Sequence, residues 1–152
     1  MSEKKILVSG CLFGWHCRYD DGDTPCLHPQ FLKWKEEGRL IPVCPEVFGG
    51  LPTPRPDCQR VGDKVMSCVG GDCTGQYTKG ANEALRLAKE NDVALCIMKE
   101  DSPSCGSTHI YDGTFTDTII EGQGLAVEYL RNAGYKVFSE NMIEDVIKEL
   151  AE

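Results

Sequence analysis

The sequence has little of what marks several common classes of protein. Lys and Arg number 16 against 24 Asp and Glu, a net charge of −8, so no basic excess offers a surface for nucleic acid or an anionic membrane. No segment approaches the roughly 18 apolar residues of a membrane span, and the apolar run near the N-terminus is too short for a secretory signal. A glycine-rich ATP-binding loop is also missing. We therefore expect a cytoplasmic protein without a nucleic-acid or membrane partner.

What the sequence has in excess is cysteine, with nine residues in a chain of 152. No two of them have CxxC spacing, which disfavours a zinc ribbon or a thioredoxin motif. Because cytoplasmic thiols stay reduced, this richness favours metal binding or catalysis over disulfides. Cys96 lies inside the apolar run VALCIM, and we expect it to be a buried core residue. The pattern leaves the roles of a further group open: Cys17, Cys26, Cys58, Cys68 and Cys73.

Apolar runs and helical periodicity alternate along the chain, which predicts a single α/β domain over residues 1–152. Short apolar runs predict strands at 4–9, 40–43, 93–98 and 135–138, and a small hairpin at 59–61 and 64–68. Apolar spacing with capping Pro and Gly residues predicts helices at 29–38, 77–88, 126–133 and 143–150. We expect residues 100–122 to be a loop. This alternation is typical of a three-layer αβα fold with a mostly parallel, Rossmann-like sheet and a small hairpin insertion.

Three cysteines each come just after a predicted strand: Cys11 follows ILVSG, Cys44 follows LIPV, and Cys105 follows ALCIMKEDSPS. In an open α/β sheet, ligands bind beyond the carboxyl ends of the strands, so these thiols are expected to meet in one pocket. Three soft sulfur ligands that leave one position open are typical of a metal centre that does chemistry. Cys17 is a rival ligand, and Arg18 is a candidate to hold an anionic ligand or to lower a nearby thiol pKa.

The loop after the second predicted strand reads VCPEVFGGLPTPRP and contains two further candidates. Glu46 lies two residues from Cys44, where a carboxylate beside a metal thiolate can act as a general base on water. The alternative is an ordinary solvated loop carboxylate. Arg55 lies between two prolines and either orients a substrate carbonyl or pairs with a carboxylate. The high proline and glycine content indicates a rigid loop, which a preorganised site requires.

The loop around Cys105 reads KEDSPSCGSTHIYDG. Ser102 and Ser104 flank Pro103, and either hydroxyl can donate to a substrate or shuttle a proton. A Cys–His hydrolase is a further possibility, with Cys105 as nucleophile and His109 as its base. The aspartates of this region are expected to serve in turns and caps: Asp101, Asp112 and Asp117.

The three loops together resemble the thiouracil desulfidase family, long catalogued as a domain of unknown function. The motifs that carry the resemblance are ILVSGCLFGWHCRYD, PVCPEVFGGLPTPRP, GDCTGQYTKGA and SPSCG followed by YDG. Each motif alone is moderately specific, and their order and spacing together are highly specific. The resemblance extends from about residue 4 to residue 140.

The resemblance implies a 4Fe-4S cluster held by only three cysteines, which correspond to Cys11, Cys44 and Cys105. It implies an open fourth iron that binds the sulfur of a thiolated nucleobase, assisted by Glu46 and Ser102. The implied reaction is non-redox and converts 2-thiouracil and water to uracil and hydrogen sulfide. We add Arg55 and Ser104 as candidate substrate-binding residues.

The chain departs from the family pattern at PRPDCQR and at Cys73, and it carries extra cysteines near the expected substrate loops. These differences concern the identity of the substrate more than the cluster. A different class of function is also compatible with the cysteine content: an iron–sulfur or metal-binding protein that handles sulfide without turnover. Dethiolation of RNA is disfavoured, because the acidic chain has no basic groove.

Overall fold

A computed structural model of the chain describes residues 4–17, 20, 22, 24–53 and 55–151. Arg18, which the sequence suggested for an anionic ligand, lies outside the described residues. Within them, the strands of the fold are β1 (Ile6–Ser9), β2 (Leu40–Val43), β3 (Cys58–Val61), β4 (Lys64–Ser67), β5 (Leu95–Met98), β6 (His109–Tyr111), β7 (Ile119–Glu121) and β8 (Val137–Ser139).

Four of these strands form a parallel sheet in the order β2-β1-β5-β8. The chain crosses from one side of β1 to the other between β2 and β5. Such a topological switch point is where open α/β sheets bind their ligands. The other strands form two antiparallel hairpins, β3–β4 and β6–β7.

The helices divide between two short ones beside the sheet and four longer ones that cover it. They are α1 (Gly10–Phe13), α2 (Pro29–Glu36), α3 (Pro45–Phe48), α4 (Thr74–Glu90), α5 (Leu125–Asn132) and α6 (Ile143–Ala151). Both short helices begin directly after a strand, α1 after β1 and α3 after β2. No helix among the described residues is long and apolar enough to span a membrane.

The core consists of two apolar layers, one on each face of the parallel sheet. Side chains alternate along a strand, so Leu7 points to one layer while Ile6 and Val8 point to the other. Helices α4 and α5 cover the first face, and α2 and α6 cover the second. Because both faces are covered, the strands are apolar except for the serines that end β1 and β8, as in other all-parallel sheets.

The predicted α/β fold with a parallel central sheet is therefore confirmed, with β2 at the predicted bounds. Residues 100–122 differ from the expectation of a plain loop, because they contain the second hairpin, β6–β7. Its strands have three residues each, and those of β7 are exposed, so no alternation of apolar and polar residues marked them.

Candidate metal centre and active site

The three cysteines chosen from the sequence line one cavity. Cys11, Cys44 and Cys105 come after β1, β2 and β5 respectively, three neighbouring strands of the sheet, and each is between 5% and 9% exposed. The cavity that they line has a volume of about 160 Å³. The expected meeting of the thiols at the carboxyl ends of adjacent strands is thus observed. Two further thiols, those of Cys17 and Cys58, also line the cavity. The lining includes these polar residues as well: Ser9, Glu46, Asp57, Lys99, Glu100, Asp101, Ser102, Ser104 and Tyr111.

Cys44 is the residue before helix α3, and the backbone there favours its thiolate. Pro45 begins the helix, where its missing N–H costs nothing. The Cys44 pKa is lowered by a hydrogen bond from the Cys17 thiol and, after the opposing effect of burial, by the N–H of Val47 and the charge of Arg55. A thiolate is the form that binds metal.

Cys105 lies in a turn that is organised by two serines. The Ser102 hydroxyl accepts hydrogen bonds from the N–H groups of Ser104 and Cys105, at 3.2 and 3.1 Å. The Oγ atoms of Ser102 and Ser104 are 3.0 Å apart, and the Ser104 hydroxyl donates to Cys105 Sγ at 3.5 Å. Burial raises the pKa of Cys105, while hydroxyl donors from Ser9 and Ser104 act to lower it.

Two glycines allow α4 and α5 to pack closely against the loops that carry Cys44 and Cys105. A Cβ atom on Gly80 of α4 would overlap the carbonyl oxygen of Pro45, and one on Gly124 would overlap the backbone of Ser104. The first N–H groups of α5 also donate to the loop, with Leu125 N bonded to Pro103 O at 2.8 Å. The cysteine loops are therefore clamped by the same helices that cover the sheet, which gives the site its rigidity.

Cys17 is a fourth thiol in the same cavity. Its pKa is raised by its hydrogen bond to Cys44, by burial, and by the nearby charges of Cys44, Cys11 and Cys105. These contacts show four thiols near one another with mutual repulsion between their charged forms. The sequence indicates Cys17 as an alternative ligand, and its place in the lining of the cavity is compatible with that role.

Glu46 is held by two side chains rather than solvated. Only 16% of its side chain is exposed. Its Oε2 accepts from Arg55 at 2.6 Å, and its Oε1 accepts a short hydrogen bond from the hydroxyl of Tyr77. Contact with Glu46, together with burial, raises the pKa of Tyr77, so the phenol stays protonated and donates. The alternative of a solvated loop carboxylate is wrong.

The structure also decides between the roles left open for Arg55, since its guanidinium pairs with a carboxylate. The remaining donors of its two terminal nitrogens reach Pro52 O, Thr53 Oγ1 and Cys17 O, at 2.9 to 3.1 Å. Among the described residues its Nε–H has no partner and is buried. Arg55 thus links Glu46 to the backbone of the Cys17 loop.

Glu100 is a cavity residue that the sequence analysis missed. Its carboxylate accepts five hydrogen bonds from the backbone and hydroxyls of Ser107, Thr108 and His109. Burial alone would raise its pKa, but these donors hold the pKa at about 2. Glu100 comes just after the end of β5. A position just after a strand is the same sequence feature that identified the three cysteines. Tyr77 had no such signal, because it reads as one more core residue of α4.

His109 is not brought to the cavity. It lies on β6, its side chain is exposed, and its Nδ1 contacts Thr108 Oγ1 at 2.9 Å. It is not among the residues that line the cavity around Cys105. Asp112 is a turn residue as expected, since its Oδ1 accepts from the N–H and hydroxyl of Thr114.

The donor set fits an iron–sulfur cluster. None of these four thiols forms a disulfide, all are buried and soft, and cysteine thiolates are the usual ligands of such clusters. The repulsion among their charged forms would be relieved by a cationic centre between them. No group of three His, Cys, Asp or Glu side chains in the described part of the chain is placed to hold a single metal ion. The sulfurs instead lie on the walls of a shared cavity, which suits a larger group.

Comparison with known proteins agrees with the motifs. The model of the 2-thiouracil desulfurase family matches residues 6–142. An uncharacterized protein of Bacillus subtilis (strain 168), YbbK, is 38% identical over 152 residues that cover 93% of this chain and 99% of the relative. The solved structure of the 4Fe-4S-dependent thiouracil desulfidase TudS matches with a TM-score of 0.96 and 39% identity. That match covers 98% of this chain and 99% of the TudS chain.

Proposed function

This chain belongs to the 2-thiouracil desulfurase family, and from that premise we propose that it removes sulfur from a thiolated nucleobase such as 2-thiouracil. The products are the oxo base and hydrogen sulfide, and the oxygen comes from water, so the reaction involves no net redox change. The proposed cofactor is a 4Fe-4S cluster, as named for TudS.

The observation that carries the proposal is a buried carboxylate in the same cavity as the thiols. Glu46 and the three cysteines line one space, and Arg55 and Tyr77 hold both carboxylate oxygens. A protein that only stores iron or sulfide has no need of a positioned general base. This arrangement favours turnover over the non-catalytic alternative.

In this proposal Cys11, Cys44 and Cys105 would hold the cluster, without a fourth cysteine ligand. The bound cluster would supply a thiophilic Lewis acid for the sulfur of a thiocarbonyl. The cavity walls are proposed to exclude bulk water and to fix the direction from which the nucleobase enters.

Glu46 is proposed to take a proton from water. A carboxylate has about four acceptor sites, and Arg55 and Tyr77 use one on each oxygen. One acceptor position therefore remains on each oxygen for a water molecule. The water oxygen adds to the carbon of the C=S bond as its proton passes to Glu46. Glu46 then returns that proton to the sulfur, and the hydroxyl proton of the adduct also passes to the sulfur as the C=O bond forms and the C–S bond breaks. The sulfur leaves as hydrogen sulfide, which completes the exchange of sulfur for oxygen.

Ser102 is proposed to donate a hydrogen bond to the substrate. Its oxygen already accepts from two backbone N–H groups, so its own proton is directed outward. The Ser102 hydroxyl also shares a hydrogen bond with Ser104 Oγ, in which either oxygen can be the donor. Ser104 is the alternative donor. Arg55 is proposed to position Glu46 rather than to contact the substrate.

Anaerobic purification followed by iron, sulfide and spectral analysis tests the cofactor. Hydrogen sulfide release from 2-thiouracil and related thiolated bases tests the reaction. We expect about four irons per chain and stoichiometric formation of sulfide and oxo base. Cluster-loaded protein that releases no sulfide from any of these bases would favour the non-catalytic role in sulfide or metal handling. Full activity without iron would instead support a cysteine hydrolase.

A further inference from the structure

We infer that Asp101 is the residue that selects the substrate, by accepting a hydrogen bond from a ring N–H of the thiolated base. The inference rests on the proposed function, because it concerns the ligand of the same cavity. It concerns recognition rather than the chemical step.

The inference begins with the acidic residues that line the cavity. Glu46 is occupied by Arg55 and Tyr77, and Glu100 by five donors of its own loop. Asp57 is also engaged within the protein. Within the described part of the chain, no hydrogen bond or ion pair reaches the carboxylate of Asp101, although the residue is half-buried. Burial raises the pKa of Asp101, the nearby charge of Lys99 opposes that rise, and the charge of Glu100 adds to it.

The backbone at Asp101 provides a second and independent observation. Asp101 has φ of +69°, in the left-handed region that side chains rarely adopt. Its N–H donates to His109 O at 3.2 Å, and it forms a bridge with Ile110 of β6. The neighbouring strand therefore holds a strained residue in place. Such residues cluster at ligand sites, where the surrounding fold maintains them.

The position and chemistry of Asp101 indicate what it would bind. It directly precedes Ser102, the proposed donor to the substrate, and both residues line the same cavity. Cyclic thioamides such as 2-thiouracil carry N–H groups next to the C=S bond. A carboxylate accepts from such an N–H, and hydrogen bonds to charged groups are stronger than neutral ones. A base with a methyl group on that nitrogen would lose the bond and leave the carboxylate unpaired.

Replacement by glycine is the sharpest probe, because glycine tolerates positive φ and removes only the side chain. We expect Asp101→Gly to weaken anaerobic binding of 2-thiouracil by about 10- to 100-fold, with an equal rise in KM and little change in kcat. Asp101→Asn retains one acceptor oxygen, so it should bind 2-thiouracil more weakly than the unmodified protein but more tightly than Asp101→Gly. The matched control is Asp117→Gly, since Asp117 also has positive φ, 59°, but is exposed and does not line the cavity.

The decisive measurement pairs each protein with 2-thiouracil and with its two singly N-methylated derivatives. The unmodified protein should discriminate against one derivative by about 10-fold or more, and Asp101→Gly should lose that discrimination. Equal discrimination by both proteins would overturn the role of Asp101 while leaving the desulfidase proposal intact. An unmodified protein that binds these bases with this selectivity but releases no sulfide would overturn the proposed reaction and support Asp101. A protein that neither binds nor converts them would overturn both.

Discussion

The loops that follow β2 and β5 each bring a cysteine and a glutamate to the cavity, but the two glutamates accept hydrogen bonds from different kinds of donor. Glu46 meets two side-chain donors, Arg55 of its own loop and Tyr77 of α4. Glu100 meets five donors from residues 107–109, and three of them are backbone N–H groups. A carboxylate has about four acceptor sites, so Glu100 is saturated while Glu46 keeps sites for water.

This difference separates the proposed general base from a carboxylate that organises its own loop. Glu100 has the role of a loop organiser, since its donors define the turn that carries Cys105. Glu46 is held in place by groups that leave part of it accessible from the cavity. Both residues lie close to a cysteine in sequence, and only their partners distinguish them.

Loss of a cysteine from either loop should have the largest effect. We expect Cys44→Ala and Cys105→Ala each to abolish iron retention, and Cys11→Ala to do the same, because a cluster with three protein ligands cannot spare one. Iron and acid-labile sulfide per chain measure the outcome. Cys68→Ala, at an exposed position, and Cys96→Ala, in the core, are the controls that should keep iron.

Full iron retention in Cys44→Ala would show that the ligand set was chosen wrongly. Cys17 would then be the first substitute, because it lies against Cys44 in the same cavity. The variant Cys17→Ala distinguishes the two possibilities, since it should keep its iron if Cys44 is the ligand.

The comparison of the two glutamates predicts a large loss of activity at only one of them. Glu46→Gln should lower kcat by about 10²- to 10⁴-fold, the usual range for loss of a general base, while iron content and the visible spectrum persist. The amide is nearly the same size as the carboxylate but accepts no proton. Tyr77→Phe, which leaves the carboxylate in place, should cost only about 10-fold, as expected for one lost hydrogen bond.

Near-normal turnover of iron-loaded Glu46→Gln would remove this residue from the mechanism. Because Arg55 is buried and would lose its countercharge, the thermal midpoint of the variant should be measured alongside. Glu46→Asp restores the charge but shortens the side chain, so it should recover the stability while activity stays low.

Glu100→Gln should act mainly on stability, with a loss of about 1–3 kcal/mol from the broken hydrogen bonds. The folded-state pKa of Glu100 is lowered to about 2 from an ordinary value of 4.5. Its contribution to stability is therefore fully present above pH 4.5 and is lost as pH falls toward 2. Urea unfolding should be measured for Glu100→Gln and for the unmodified protein across this pH range. The difference between their free energies of unfolding should become smaller as the pH falls.

The exposed Glu121 of β7 provides the control, since Glu121→Gln should leave stability nearly unchanged at every pH. The assigned role of the Glu100 charge would be contradicted if the difference in free energy of unfolding between Glu100→Gln and the unmodified protein stayed constant down to pH 2.

Much of the fold could be predicted because each element carried its own signal. The spacing of Tyr77, Ala81, Ala84 and Ala88 predicted α4, and the run LIPV predicted β2. The short helices α1 and α3 could not be found in this way. Four residues are too few to form a stable helix alone, so these turns exist because the strands before them and the helices beside them are already in place.

The sequence by itself determined that three thiols would meet at one edge of a parallel sheet. Strand ends and their cysteines are local features, and parallel strands must present their carboxyl ends together. Only the tertiary structure decided which charged groups are free to react, because that depends on partners far away in the chain. Tyr77 lies 31 residues from Glu46, and the strand that holds Asp101 in its strained conformation forms only when the second hairpin folds.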